Sequence, residues 1–493
     1  MQTLSQVIED KGKIKEINNQ PSLEKVLLVV DLDGTLIYTD LLYEGLIILL
    51  RKNPLYIFSC IIWLLKGKVY LKKELFNKIQ IPYELLPTNK ELMSFLQAEL
   101  LNGRQIILAT ASLKSHALEI AKTIPLFVNT FGTEGVNLKG ENKLKVLVNE
   151  FGEYKFDYIG NSHSDIKIFA KSRYSYLVNP SKLLERKTSE ISVLKYSFKS
   201  KKVDLKDYIK AIRAYQWVKN LLIFIPIITS HSFHSLNLVL LTSKAFFAFS
   251  MIASSGYIIN DLLDLNSDRK HPRKRFRPFA SGRLSIKSGI ILATILLLTG
   301  VLIASQLNFL FSLILLFYFI TSLSYSLYFK KIVLYDVFIL ALLYSIRVIA
   351  GGLVADVSIS FWLIAFSTFL FLSLAFVKRY SELMKINETK GLIERGRQYL
   401  KTDLNSLQIM GIVSGFMSVV VFSLYLDSPE VLQLYSNPKI LWIISFCLLF
   451  WISRIWNVTN RGEMTDDPII FALKDKSSYF IFILMGLIFA LSI

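Results

Sequence analysis

The feature that most constrains this chain is a series of long apolar segments that recurs from about residue 210 to the carboxyl end. A helix needs about 20 apolar residues to cross a bilayer core, and roughly nine segments approach that length. They are 217–231, 238–262, 286–305, 308–328, 333–352, 359–378, 408–426, 439–457 and 478–492. The stretches 231–238, 305–308, 353–359 and 427–438 carry no Lys or Arg. The intervening ones carry Arg269, Lys270, Arg273, Lys274, Arg275, Arg277, Arg283 and Lys287, then Lys330 and Lys331, then the runs Lys378 to Lys401 and Arg454 to Lys476. Positive charge collects on the cytoplasmic side of membrane proteins. The charged loops and the amino-terminal region are therefore expected in the cytosol, beside a cell membrane. An odd number of spans would leave the carboxyl end outside.

Composition agrees. Apolar residues make up 53% of the 493, and 57 Lys+Arg against 38 Asp+Glu leave a net charge of +19. A chain this apolar and basic is not disordered, collagen-like or a disulfide-stapled secreted domain. Cys60 and Cys447 lie in apolar stretches and suggest no redox or metal role. The first 25 residues are polar and charged, so no cleavable leader is expected.

Before residue 200 the pattern changes to short apolar runs between charged helical stretches, the pattern of a soluble α/β domain. The expected organisation is a soluble domain at 1–182 with a helical cap near 38–100, a linker at 183–207, and an all-α membrane bundle at 208–493. The cap holds Leu46–Leu50 and Leu55–Leu65, parted by Arg51, Lys52, Asn53 and Pro54. Neither piece is long enough to span. Buried cap helices and a cap resting on the bilayer both fit.

The strand-like run from Val26 ends in Asp31-Leu-Asp33-Gly-Thr. Carboxylates at such a strand end project into the crevice where α/β folds bind ligands. Two aspartates two apart can divide phosphoryl transfer, one attacking phosphorus and the other handling the leaving-group proton. Three later pieces fit the same chemistry. Ile106–Thr110 is an apolar run ending in a hydroxyl, Lys143 opens a helix, and Phe156–Asp165 runs into a glycine turn with a carboxylate suited to Mg²⁺. His163 in that turn is expected to face solvent. This set, in this order, resembles the haloacid dehalogenase (HAD) phosphatase superfamily over about residues 25–180. The resemblance implies a Rossmann-type sheet with a small cap, Asp31 as nucleophile and Asp33 as acid/base. It also implies Thr110 and Lys143 on phosphate, and Mg²⁺ among Asp31, Asp33 and Asp165. The family usually carries an acid where this chain has Asn161.

The second candidate site closes an apolar segment: Asn260-Asp261-Leu-Leu-Asp264-Leu-Asn-Ser-Asp268. Separations of three and four place the carboxylates on one helical face, with Asn260 beside Asp264. Like charges stacked there need compensation, and a divalent cation holding a diphosphate would supply it. The following loop, Arg269 to Gly282, suits an anionic phosphorylated substrate, although headgroup attraction would also explain its charge. Nucleic acid is a poor partner for charges confined to short loops between membrane helices. A transporter would place its acids near mid-helix, not at a helix end.

The Asn-Asp-x-x-Asp-x-x-x-Asp pattern is similar to the first signature of the UbiA superfamily of intramembrane prenyltransferases. Arg213-Ala-Tyr-Gln-Trp-Val-Lys-Asn220 and Tyr325-Ser-Leu-Tyr-Phe-Lys330-Lys331, leading to Asp336, resemble its other motif regions. Within the superfamily, the loop from Asp268 to Arg277, Lys378-Arg-Tyr-Ser-Glu-Leu383 and Arg461-Gly-Glu-Met-Thr-Asp-Asp467-Pro resemble the decaprenyl-phosphate phosphoribosyltransferases. The resemblance implies a polyprenyl phosphate and phosphoribosyl pyrophosphate as substrates; the branch that prenylates aromatic rings with a polyprenyl diphosphate is the alternative. It implies catalytic roles for Asp261, Asp264, Asp268, Lys330 and Asp336. Mg²⁺ would sit on the first three, and Lys219, Asn220, Asn260, Arg277, Tyr325, Arg347 and Lys378 would contact substrate.

Overall fold

Residues 26–199, 203–385, 398–465 and 467–493 are described in the computed structural model of the chain. The polar amino-terminal stretch, residues 200–202 of the expected linker and 386–397 of the third charged loop lie outside the described residues. The chain divides into two units, Met1–Val203 and Asp204–Ile493.

In the first unit the short apolar runs become a six-stranded parallel sheet: β1 (Leu27–Val30), β2 (Ile106–Leu113), β3 (Asn129–Thr133), β4 (Phe156–Gly160), β5 (Tyr174–Val178) and β6 (Val193–Phe198). The spatial order is β3-β2-β1-β4-β5-β6. Leu28 pairs with Ile106 on one side and Asp157 on the other, so β1 is central. Strands covered by helices on both faces must be apolar throughout, and Leu28, Val29 and Val30 are fully buried. Strand order reverses between β1 and β4, which opens a crevice beyond their carboxyl ends. Asp31 and Asn161 follow directly from those two ends.

Four helices intervene between β1 and β2: Leu41–Lys52, Tyr56–Leu65, Lys68–Asn77 and Lys90–Leu101. Asp40 and Asn89 cap the first and last, their side chains accepting from the Leu42 and Leu92 N–H groups. The segment expected as a linker from residue 183 is instead structured. Helix Lys182–Ile191 starts at the Ser181 cap and buries Leu184 and Thr188. Strand β6 then pairs with β5 and buries Phe198. Its Lys, Glu and Ser residues form the solvated side of an amphipathic helix and an edge strand, which composition alone does not distinguish from a tether.

In the second unit seven helices among the described residues are long and apolar enough to cross a membrane. They are Leu236–Leu263, Ile286–Ala304, Phe309–Leu327, Tyr335–Ala355, Phe361–Met384, Asp403–Leu426 and Pro438–Asn460. The other two of the nine expected segments fall short of that length as single helices. Residues 217–231 form a 3₁₀ helix, Ala214–Phe224, followed by the short α-helix Ile225–Thr229 with Pro226 in its first turn. The carboxyl-terminal helix, Lys476–Ser492, is apolar but has 17 residues, about 25 Å at 1.5 Å per residue and short of a core about 30 Å thick. The 3₁₀ segment packs on the Tyr335–Ala355 helix at Gly351, where any side chain would collide with the Ile223 carbonyl.

Candidate active sites

The first site lies at the sheet's switch point. The Asp31 carboxylate accepts from Lys143 Nζ at 2.7 Å and from Thr35 Oγ1 at 3.4 Å. Lys143, from the Glu141–Phe151 helix, also donates to the Tyr158 hydroxyl at 3.1 Å, and that hydroxyl donates to Asp165 Oδ1 at 3.4 Å. Asp165 is fixed further by the Ser162 N–H at 3.1 Å, within a capping box. Asp33 accepts from the Leu41 N–H at 2.9 Å and from Ser112 Oγ at 3.0 Å. The expected acids and lysine therefore converge. Thr110 is fully buried; its hydroxyl accepts from the Ser112 N–H and reaches Asp33 only at 3.5 Å. Ser112 is the hydroxyl held closer to the acids. The sequence reading missed Ser112, Tyr158 and Thr35, since one more hydroxyl near a strand end carries no distinctive spacing. It also missed Lys72 of the Lys68–Asn77 helix, which donates to the Ala111 carbonyl at 2.6 Å and to Asn137 Oδ1 at 3.1 Å. Asn161 packs on Gly34, and His163 is exposed.

Electrostatics separate the acids. Burial, then the Asp40 and Asp31 carboxylates, push the Asp33 carboxyl up to about 7. Burial and Asp31 push Asp165 up to about 6. Burial alone would pull Lys143 down, but Asp31 and Asp165 hold it above its ordinary value. An acid that keeps its proton near neutrality, beside a carboxylate paired with lysine, is the division that acid-assisted phosphoryl transfer needs. The mutual repulsion of these oxygens is what a hard divalent cation relieves, so the donor set fits Mg²⁺.

The second site gathers at the end of the Leu236–Leu263 helix. Asp264 is its C-cap, and a short helix, Leu265–Lys270, continues to Asp268. Arg277 Nη1 donates to Asp261 Oδ1 at 2.9 Å and to Asp268 Oδ2 at 2.6 Å. Arg213 approaches Asp261 from the other side, through Nε at 3.3 Å and a closer Nη2 contact. Arg213 is itself left-handed, φ 52°, a conformation a non-glycine residue adopts at some cost and one that recurs at functional sites. Lys330 Nζ holds Asp264 at 2.7 and 2.9 Å.

The three carboxylates are thus compensated by Arg213, Arg277 and Lys330. Among the described residues no group of three or more His, Cys, Asp or Glu is placed to hold a metal ion, in either unit. Asp261 and Asp268 nevertheless converge on a single guanidinium nitrogen. Two hard oxygen ligands converging on one point suit Mg²⁺, which binds through few carboxylates plus substrate phosphates. Asp264 is turned toward Lys330.

The remaining expected contacts fall into three places. Asn260 lies half-buried one turn before Asp264, and Tyr325 is half-buried near Arg379. Lys219 pairs with Asp467, and Lys378 lies within electrostatic reach of both. Asn220 donates to Ser250 Oγ at 2.9 Å and accepts from Arg347 Nε at 2.8 Å; Arg347 also donates to the Tyr318 hydroxyl at 3.0 Å. Asp336, expected to share the cavity with Lys330, is fully buried instead. It pairs with Arg379 and accepts from the Tyr399 hydroxyl at 2.6 Å. This pair joins the Tyr335–Ala355 helix to the Phe361–Met384 helix.

The second unit matches proteins of known family. The model of the UbiA prenyltransferase family matches residues 222–471. The decaprenyl-phosphate phosphoribosyltransferase of Mycolicibacterium smegmatis is 30% identical over 283 residues, 56% of this chain and 88% of that one. The uncharacterized protein y4nM of Sinorhizobium fredii is 34% identical over 471 residues, 95% of this chain and 91% of its own. Among solved structures, a substrate-bound phosphoserine phosphatase aligns over 38% of this chain and 99% of its own, at 14% identity and a TM-score of 0.26.

Proposed function

We propose that this chain, which belongs to the UbiA prenyltransferase family, transfers phosphoribose to a polyprenyl phosphate and then removes the 5-phosphate from the product. The carrying observation is the Asp261–Arg277–Asp268 bridge with Lys330 on Asp264, an alternation of acids and cations able to hold a diphosphate and its counter-cation together. The phosphoribosyltransferase relative, matched over nearly its whole length, supports this acceptor over an aromatic ring.

In the first step the diphosphate of phosphoribosyl pyrophosphate lies against Arg213, Arg277 and Lys330. Mg²⁺, bound by Asp261 and Asp268, would supply charge neutralisation for the departing diphosphate. The cations, released from their carboxylates, stabilise the negative charge that grows on the leaving oxygens. The lipid phosphate oxygen forms the new bond to C1 of the ribose as diphosphate leaves. Apolar helices exclude water, so the cationic carbon meets lipid phosphate rather than hydroxide.

In the second step Asp31 attacks the 5-phosphorus, Asp33 protonates the departing ribose oxygen, and Lys143 neutralises the phosphoryl oxygens. Water then hydrolyses the aspartyl-phosphate, with Asp33 taking its proton. Lys and Arg concentrated in alternate loops support a cytosolic position for the charged loops, and a crossing of the bilayer by residues 214–229, ahead of the Leu236–Leu263 helix, would bring the first unit to the same side. Membranes containing the protein, given radiolabelled phosphoribosyl pyrophosphate and polyprenyl phosphate, are expected to move label into the lipid phase. Label absent there, but transferred from a prenyl diphosphate to an aromatic acid, would overturn the acceptor assignment.

A further inference from the structure

The Tyr56–Leu65 helix has two apolar sides. Tyr56, Ser59, Cys60 and Trp63 follow the i, i+3, i+4, i+7 spacing and face inward, buried or half-buried. Phe58, Ile61, Ile62 and Leu65 follow the same spacing on the opposite side and are 65%, 52%, 54% and 85% exposed. A soluble domain normally puts polar residues there.

Charge identifies what covers this face. Between Arg51 and Lys78 the chain carries seven Lys or Arg residues and a single acid, Glu74. Arg51 and Lys52 precede the helix; Lys66, Lys68, Lys73 and Lys78 follow it, all exposed. An apolar face bordered by cations is the composition of a helix lying in an anionic lipid surface. The helix has 10 residues, about 15 Å, too short to cross a core about 30 Å thick, so it can only lie in the interface. The same chain carries seven helices of bilayer length, which confine this face near a membrane at high local concentration.

We propose that the Tyr56–Leu65 helix docks the first unit on an anionic leaflet, with Phe58, Ile61, Ile62 and Leu65 among the acyl chains and the flanking lysines on lipid phosphates. The following helix carries Lys72 to the edge of the aspartate site. Docking therefore holds that site near headgroup level, where a lipid-borne phosphate would be presented.

The test is fluorescence on the full chain in nanodiscs, independent of either activity. A bimane label is placed at Phe58→Cys or Ile62→Cys, with Cys60 and Cys447 replaced by Ala. Leu101→Cys, 88% exposed in the same unit, serves as the reference. In phosphatidylglycerol discs, labels at 58 and 62 are expected to be quenched by doxyl-labelled lipid and shielded from aqueous iodide about fivefold relative to 101. The shielding should weaken in phosphatidylcholine discs. Equal iodide access at 58, 62 and 101 in both lipids would overturn the proposal. So would shielding without doxyl quenching accompanied by cross-linking of position 58 between two copies, which would make the face a contact between protein chains.

Discussion

The Asn161 side-chain amide rests against the bare α-carbon of Gly34, where a methyl group would overlap it. This contact joins the turn after β1, which carries Asp31 and Asp33, to the turn after β4, which carries Asp165. Gly34 also has φ 75°, a left-handed conformation that favours glycine. Gly34→Ala is expected to destabilise the first unit by about 1–3 kcal/mol and to lower phosphomonoester hydrolysis at least about 100-fold. Thermal unfolding and p-nitrophenyl phosphate turnover of the full chain check this. A variant with normal turnover would mean that the two loops need not stay in register.

Asn161→Asp tests the charge of the same contact. An added carboxylate beside Asp31 and Asp165 strengthens the local attraction for a divalent cation. The Mg²⁺ concentration giving half-maximal hydrolysis is expected to fall about tenfold, and chelation by EDTA should abolish hydrolysis in both proteins. An unchanged Mg²⁺ requirement would place Asn161 outside the cation's surroundings.

Asp31→Asn removes the nucleophile and the partner of Lys143 while leaving the second unit intact. Phosphoribosyl lipid is expected to accumulate with its 5-phosphate, whereas the wild type yields the dephosphorylated ribosyl lipid. Thin-layer separation of labelled lipids distinguishes them. Identical product mixtures would show that the first unit acts on something else.

In the second unit Asp261→Asn and Asp264→Asn should each abolish transfer while the protein remains folded in the membrane. Arg277→Ala frees two carboxylates at once and is expected to lower the transfer rate about 10²–10³-fold, as loss of a charge-stabilising group does. Arg277→Lys should recover part of it, since an ammonium keeps the charge but not the planar fork. Full activity of Arg277→Ala would argue against a role in leaving-group stabilisation.

Asp336 behaves differently in this account. Asp336→Leu leaves Arg379, which is only 2% exposed, with Glu382 as its remaining acid, and is expected to destabilise the second unit by about 3 kcal/mol. Pairing it with Arg379→Met should restore most of that loss. The KM for phosphoribosyl pyrophosphate should stay within about twofold of wild type in the double variant. A large rise in KM would return Asp336 to the substrate cavity.

The legible parts of the sequence were those with a short, rigid spacing. Asp31 and Asp33 lie two apart at a strand end, and Asp261 and Asp268 lie at a helical interval and meet on Arg277, whereas Asp264, at the same spacing, closes the helix and turns to Lys330. Their partners were not legible in the same way. Tyr158 is an ordinary aromatic residue in a buried strand, and Asp467 lies 248 positions from the lysine it pairs with. Arg277 was expected to meet phosphate and instead also bridges two acids, because nothing in spacing states how a flexible guanidinium is shared. The burial of Asp336 against Arg379 was not legible either, because a carboxylate near a lysine-rich turn looks the same in sequence whether it faces a cavity or a buried arginine. Strand β6 escaped notice because an edge strand has one solvated side, and its polar residues read as a tether.

The 3₁₀ segment Ala214–Phe224 has the poorer hydrogen-bond geometry of that helix type. It is held by Asn220 on Arg347 and by Ile223 on Gly351, both contacts to the Tyr335–Ala355 helix. That helix is synthesised just over a hundred residues later. At about 5–20 residues per second the segment has its bonds to Ser250 and Ser254 early but waits about 6–25 s for the two contacts to that helix. The first apolar stretch of the second unit is therefore completed only when its fourth long helix has emerged. Substitutions at Gly351, which close off the seat of Ile223, should therefore lower the yield of inserted protein before they alter any rate constant.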